Sequence, residues 1–173
     1  MARTFLRVIL ALAALMPSAC GFRPVYGTAA PNGSQAGVST NLSRIEIGMI
    51  PDRSGQILRN ALIDRFYRTG RPVDPPLVLN LTPISETLTD LDITRESDST
   101  RTQIRLRTDI SLTDRASGRA LLTRHMESVT SYNVLGSEFA TRVTREDARR
   151  NALADLARQI EQELALYFAR PRP

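Results

Sequence analysis

Between Arg101 and Thr113 (RTQIRLRTDISLT) apolar and polar residues alternate. Ile104, Leu106, Ile110 and Leu112 fall on one face, and Arg101, Gln103, Arg105, Arg107 and Asp109 on the other. That period of two predicts a half-buried strand. A shorter alternation, Ile45 and Ile47 within Ser43–Met49, predicts another. Pro51-Asp52-Arg53-Ser54 reads as a turn, with Ser54 as N-cap of a helix running to about Thr69. Its apolar face is Ile57, Leu58, Ala61, Leu62 and Phe66, and Gly70 stops it. Three prolines stiffen the connector Arg71–Pro76, and Leu77–Ile84 forms the next strand.

Ser85–Thr100 is rich in Ser, Thr and Asp and reads as a solvated acidic loop. Asp90, Asp92, Glu96 and Asp98 lack the sharp-turn glycine of a calcium loop, so no metal is assigned. After Asp114–Gly118, a hairpin loop, a return strand runs from Arg119 to about Tyr132. Setting Leu112 opposite Ala120 matches the apolar faces, and puts Arg105 opposite Glu127 and Arg107 opposite His125. Leu153, Leu156, Ala157, Ile160, Leu164 and Phe168 stripe a long amphipathic helix, Arg145–Phe168, capped by Thr144 with Asp147 in the capping-box position. The order β-α-β-β-β-α predicts an α+β fold: one domain with two helices packed on a four-stranded mixed sheet. If the first two strands are parallel, their crossover is right-handed.

The N-terminus has a different pattern. Arg3 and Arg7 precede a short apolar run, Val8–Met16, and Pro17-Ser18-Ala19 lead to Cys20. This is the layout of a cleavable export signal, too short to span a bilayer. Cys20 is the only cysteine, so no internal disulfide can form. Its setting resembles the lipobox of bacterial lipoproteins, in which the cysteine sulfur is acylated and becomes the new N-terminus. Pro17 departs from the aliphatic residue usual three before the cysteine. Gly21, where Asp would retain a lipoprotein at the inner membrane, resembles the outer-membrane pattern. The chain thus divides into a signal peptide (1–19), a lipidated N-terminus and tether (20–41) and an α+β domain (42–170). Within the tether, Gly27–Thr40 has no hydrophobic period.

Composition narrows the function. All 23 basic side chains are arginine. Beyond the signal, 21 arginines face 18 acidic residues. That small excess, without a basic run interleaved with aromatics, argues against nucleic acid as a partner. Guanidinium does bind phosphate and carboxylate bidentately. An enzyme is not expected. His125 is the sole histidine, and no G-x-S-x-G elbow, glycine-rich phosphate loop or metal-ligand cluster is present. No cofactor is expected.

Cys20–Gly27 reads CGFRPVYG. This string resembles the opening of mature LptE-family lipoproteins, where Cys-Gly-Phe-x-Pro-x-Tyr-Gly follows the lipidated cysteine. The resemblance implies a domain of two helices against a sheet, and attachment to the periplasmic side of the outer membrane. It also implies two partners: the β-barrel LptD, whose lumen the protein plugs and whose assembly it assists, and lipopolysaccharide during its transfer to the outer leaflet. The alternative is a free-standing periplasmic adapter that contacts other envelope proteins. Lipid A phosphates are anionic, and Arg101, Arg105 and Arg107 share one strand face about 6.5–7 Å apart for successive positions. These three are the candidate lipopolysaccharide-binding residues. The competing expectation is that Arg105 simply pairs with Glu127.

Overall fold

The computed structural model describes residues 40–68, 70–93 and 99–170. The signal peptide, Cys20, the CGFRPVYG string and most of the tether therefore lie outside the described residues, as do Glu96 and Asp98. Five strands and two long helices follow a helical turn at 40–42: β1 (Ile45–Ile47), α1 (Asp52–Phe66), β2 (Leu77–Leu81), β3 (Ser85–Ile93), β4 (Ser99–Asp114), β5 (Ala120–Asn133) and α2 (Glu138–Ala169).

β4 is the axis of the sheet. Its sixteen residues extend about 50 Å at roughly 3.3 Å each. One edge pairs with β5 along nearly its whole length. The other edge is shared: β2 pairs with the C-terminal part of the strand, Ile110–Asp114, and β3 with Ser99–Arg107. β2 and β3 thus run in line, interrupted at Thr82-Pro83-Ile84, where proline removes a donor and the Thr82 amide still reaches the Asp109 carbonyl at 3.0 Å. β1 lies parallel to β2 beyond it, joined through α1.

One sheet face is apolar and the helices cover it. Ile45, Ile47, Leu79, Ile104, Leu106, Ile110 and Leu112 are buried there against Leu58, Leu62 and Phe66 of α1 and Leu153, Leu156, Ile160 and Leu164 of α2. Each such side chain contributes about 1.5–3 kcal/mol through burial. The α+β class with two helices on a mixed sheet is as the periodicities indicate, and the details differ in four places.

First, Ser85–Ile93 is a strand rather than a loop, so the order is β-α-β-β-β-β-α with five strands instead of four. The inward side chains of β3 include Glu86 and Asp90, which meet Arg149 and Thr102 through hydrogen bonds. Leu88 is the only apolar side chain among the described inward positions of β3, so its alternation carries little hydrophobic signal. Second, α1 starts at Asp52, two residues before Ser54, and Pro51 at the N-cap position offers no side-chain cap. Third, α2 begins at Glu138, and Ser137, not Thr144, caps it by accepting from the Ala140 amide. Thr144 sits inside the helix and donates to the Thr141 and Asn133 carbonyls. Fourth, the β4–β5 hairpin is shifted by two residues. Leu112 stands opposite Leu122, and an irregularity at the next step leaves Ala120 opposite Thr113. A shift of two keeps every side chain on its face, but it places Glu127 opposite Arg107 and His125 opposite Asp109.

Candidate functional site

No described element covers the second face of the sheet. Its rows come from the outward residues of β3, β4 and β5. Because cross-strand partners share a face, Ser85, Thr87 and Thr89 of β3 flank Arg107, Arg105 and Gln103 of β4. Glu127, Val129 and Ser131 of β5 flank the same three on the other side. This is a field of hydroxyls, an amide and charges, with the exposed side chain of Val129 as an apolar exception.

Arg105 and Arg107 converge on one carboxylate. Arg105 Nη1 donates to Glu127 Oε1 at 2.9 Å, and Arg107 Nε donates to Oε2 at 2.7 Å. The hydrogen bond from Arg107 is the main cause that holds the Glu127 carboxyl below its ordinary range, with the charge of Arg105 adding to it. Two guanidinium groups on one carboxylate leave a net positive charge on the triad. Arg101 reaches the same strand further along, donating from Nε and Nη2 to Ser131 Oγ at 3.0 and 2.8 Å. The three arginines singled out by alternation therefore share a face, and all lean towards β5. Arg105 does pair with Glu127, diagonally rather than directly opposite. The two-residue shift of the hairpin, which alternation alone does not report, makes Arg107 the direct partner of Glu127 and Arg105 the diagonal one.

His125 is exposed and its Nδ1 lies 2.9 Å from Asp109 Oδ1 across the strand pair. Further pairs tie the sheet to α2: Glu86 with Arg149, Arg124 with Glu163, and Ser128 with Asp155, whose carboxylate also takes bonds from Gln159 and Arg158. Among the described residues no group of three or more His, Cys, Asp or Glu side chains is arranged to hold a metal ion. The uncovered face offers fixed cationic donors and hydroxyls, a surface suited to binding an anionic, hydrogen-bonding partner.

Two orienting features complete the geometry. The described chain enters beside β1, at the end of the sheet that carries the β4–β5 hairpin loop and the C-terminus of α2. At the opposite end Val134, Leu135, Phe139 and Val143 are exposed where β5 passes into α2. No described helix is long and apolar enough to cross a membrane.

Comparison with known proteins adds to this geometry. The model of the LptE family, described as lipopolysaccharide-assembly, matches residues 42–164. Among solved structures, one described as a lipoprotein from Caulobacter crescentus CB15 superposes with a TM-score of 0.61 at 24% identity, covering 79% of this chain and 98% of that one. A minor lipoprotein from Acinetobacter baumannii gives 0.52 at 18% identity, covering 70% and 88%. The rare lipoprotein B from Shewanella oneidensis gives 0.53 at 14%, covering 70% and 92%. At these identities the likeness establishes a shared fold. A comparison with curated protein sequences finds no match.

Proposed function

The chain belongs to the LptE family of lipopolysaccharide-assembly lipoproteins, and from that premise we propose that it is anchored in the outer membrane by a lipid on Cys20 and seats in the lumen of an LptD-type β-barrel. There it assists assembly of the barrel and the transfer of lipopolysaccharide to the outer leaflet. The observation that carries the reading is the family match, which spans every described strand, the whole of α1 and most of α2. The uncovered polar sheet face agrees with it, since the lumen of a large barrel is hydrated and polar. Arg101, Arg105 and Arg107 are the residues proposed to meet lipid A phosphates. A phosphate arriving there shares the two guanidinium groups that Glu127 holds, so its contribution is set by that competition.

Depletion of the protein tests the reading. The expected outcome is less correctly assembled barrel, co-purification of the remainder with the lipoprotein in mild detergent, and greater permeability to large antibiotics. Normal barrel levels and an intact permeability barrier after depletion would overturn it and leave the free-standing adapter. Mass spectrometry of the mature N-terminus is expected to find acylated Cys20 and none of residues 1–19. An unmodified thiol would remove the anchor from the proposal.

A further inference from the structure

Among the described residues, β5 has one paired edge and one open edge. The direction of its backbone groups follows from β4. Both the amide and the carbonyl of Asp109 point away from β5: the amide donates to Thr82 Oγ1 at 2.9 Å, and the carbonyl accepts from the Thr82 amide at 3.0 Å. Asp109 and His125 therefore form a non-hydrogen-bonded pair, and His125 directs its own amide and carbonyl to the open side. The register is constant from Arg101 to Leu112, so Thr123, Glu127, Val129, Ser131 and Asn133 do the same. Two of these carbonyls confirm the direction by meeting side chains there: Arg124 donates to that of Thr123 and Thr144 to that of Asn133. Between them, the outward groups of Glu127, Val129 and Ser131 pair with no described strand.

An edge of this kind is a template for another strand. β5 contains neither proline nor glycine, and its register irregularity is confined to the hairpin end. The flank of the edge is cationic. Arg105 and Arg107 lean onto Glu127 and Arg101 onto Ser131, so the three guanidinium groups lie along β5 on the uncovered face. The chain's own residues 21–39 contain no carboxylate to match them. A second copy would bring its own arginine row and its own α2 against this edge.

We propose that the open edge of β5 receives an extended acidic segment of a partner protein by strand addition, its main chain pairing with Glu127, Val129 and Ser131 and its carboxylates lying over Arg101, Arg105 and Arg107. The backbone ladder supplies the attachment and alternate side chains supply the selectivity. The proposal stands on the edge and its charge, and holds whether or not the partner is a barrel.

The test uses the mature chain and a ten-residue peptide alternating glutamate with threonine, beside its lysine-for-glutamate counterpart. The acidic peptide is expected to bind at least tenfold tighter than the basic one and to slow hydrogen exchange at the amides of Glu127, Val129 and Ser131. Val129→Pro removes an outward amide and leaves the β4 ladder its hydrogen bonds; it should weaken peptide binding at least tenfold with the arginines untouched. Replacing Arg101, Arg105 and Arg107 with Gln should bring the two peptides to near parity. If Val129→Pro fails to fold, the exchange measurement on the unaltered chain decides. Four results would overturn the proposal: no slowing at those amides, equal binding of both peptides, binding indifferent to Val129→Pro but lost with the arginines (a simple anion site, as for a glycolipid phosphate), or self-association that Val129→Pro abolishes.

Discussion

Arg65 of α1 donates from Nη1 to Oε2 of Glu161 on α2 at 2.9 Å, and Glu161 is buried while the arginine remains about a third exposed. This pair joins the two helices above the sheet. The asymmetry in exposure decides which partner matters. Arg65→Met leaves a carboxylate buried without its cation, and should cost roughly 3 kcal/mol, the low end for breaking a buried pair. Glu161→Leu leaves an arginine that can turn to water and should cost less. The double replacement should recover much of the loss. A double-mutant cycle in urea checks this. Equal losses in the two single variants would show that exposure does not set the cost.

Gly55 is expected to resist improvement. It lies within α1, where replacement of glycine by alanine ordinarily gains up to about 1 kcal/mol. Here a Cβ would meet Ile50 Cγ2 at 2.6 Å and the Ile50 carbonyl carbon at 3.0 Å. Ile50 is fully buried, so neither it nor its backbone can retreat cheaply. Gly55→Ala should therefore lower the melting temperature. A rise would show that the Ile50 loop yields.

Acid should destabilise the domain through identifiable carboxylates. The Asp114 carboxyl lies below its ordinary range because the Ser117 side chain and amide both donate to it in the hairpin loop. Glu127 is lowered chiefly by the bond from Arg107. Asp155 is raised by burial, but bonds from Ser128, Gln159 and Arg158 outweigh that, and it too is lowered. A carboxylate with a depressed folded pKa stabilises fully above its unfolded value, about 4, and loses that contribution as pH falls through the folded value. Stability should thus be level in these groups' contribution above about pH 5 and decline below about 4. Asp114→Asn should flatten part of that decline in pH-dependent denaturation. An unchanged slope would assign the acid sensitivity elsewhere.

Particular residues explain how much of the fold and the site is legible in the sequence. Where a strand buries one face, as in β4, Ile104, Leu106, Ile110 and Leu112 announce it, and the three arginines on its other face follow. Leu153, Leu156, Ile160 and Leu164 announce α2 equally well. β3 is hidden because Glu86 and Asp90 occupy two of its inward positions and leave Leu88 as the only apolar side chain among those described; Thr87 and Thr89 hint at strand propensity. The start of α2 is ambiguous because Ser137 and Thr144 are both plausible caps, and the choice depends on where β5 ends. The cationic row is visible in the alternation, but its partner is not. Alternation fixes a face and not a register, so placing Arg107 directly opposite Glu127 requires the geometry of the hairpin loop.

That register is open to direct test by disulfide trapping. Arg107 and Glu127 are directly opposite in a non-hydrogen-bonded pair, where Cα atoms lie about 4.5 Å apart, at the short end of the distances that disulfides span. Arg105 and Glu127, which face each other only if Leu112 pairs with Ala120, are instead diagonal neighbours at roughly 7–8 Å. With Cys20 replaced by serine, Arg107→Cys with Glu127→Cys should oxidise readily and without strain. Arg105→Cys with Glu127→Cys should remain mostly reduced under the same mild oxidant. Faster migration on non-reducing gels and loss of free thiol report the bond. The cross-link should also raise the melting temperature, because the hairpin loop it closes is restricted in the unfolded chain. Preferential closure of the Arg105–Glu127 pair would restore the register that sets Leu112 opposite Ala120, and would make Arg107 the diagonal rather than the direct partner of Glu127.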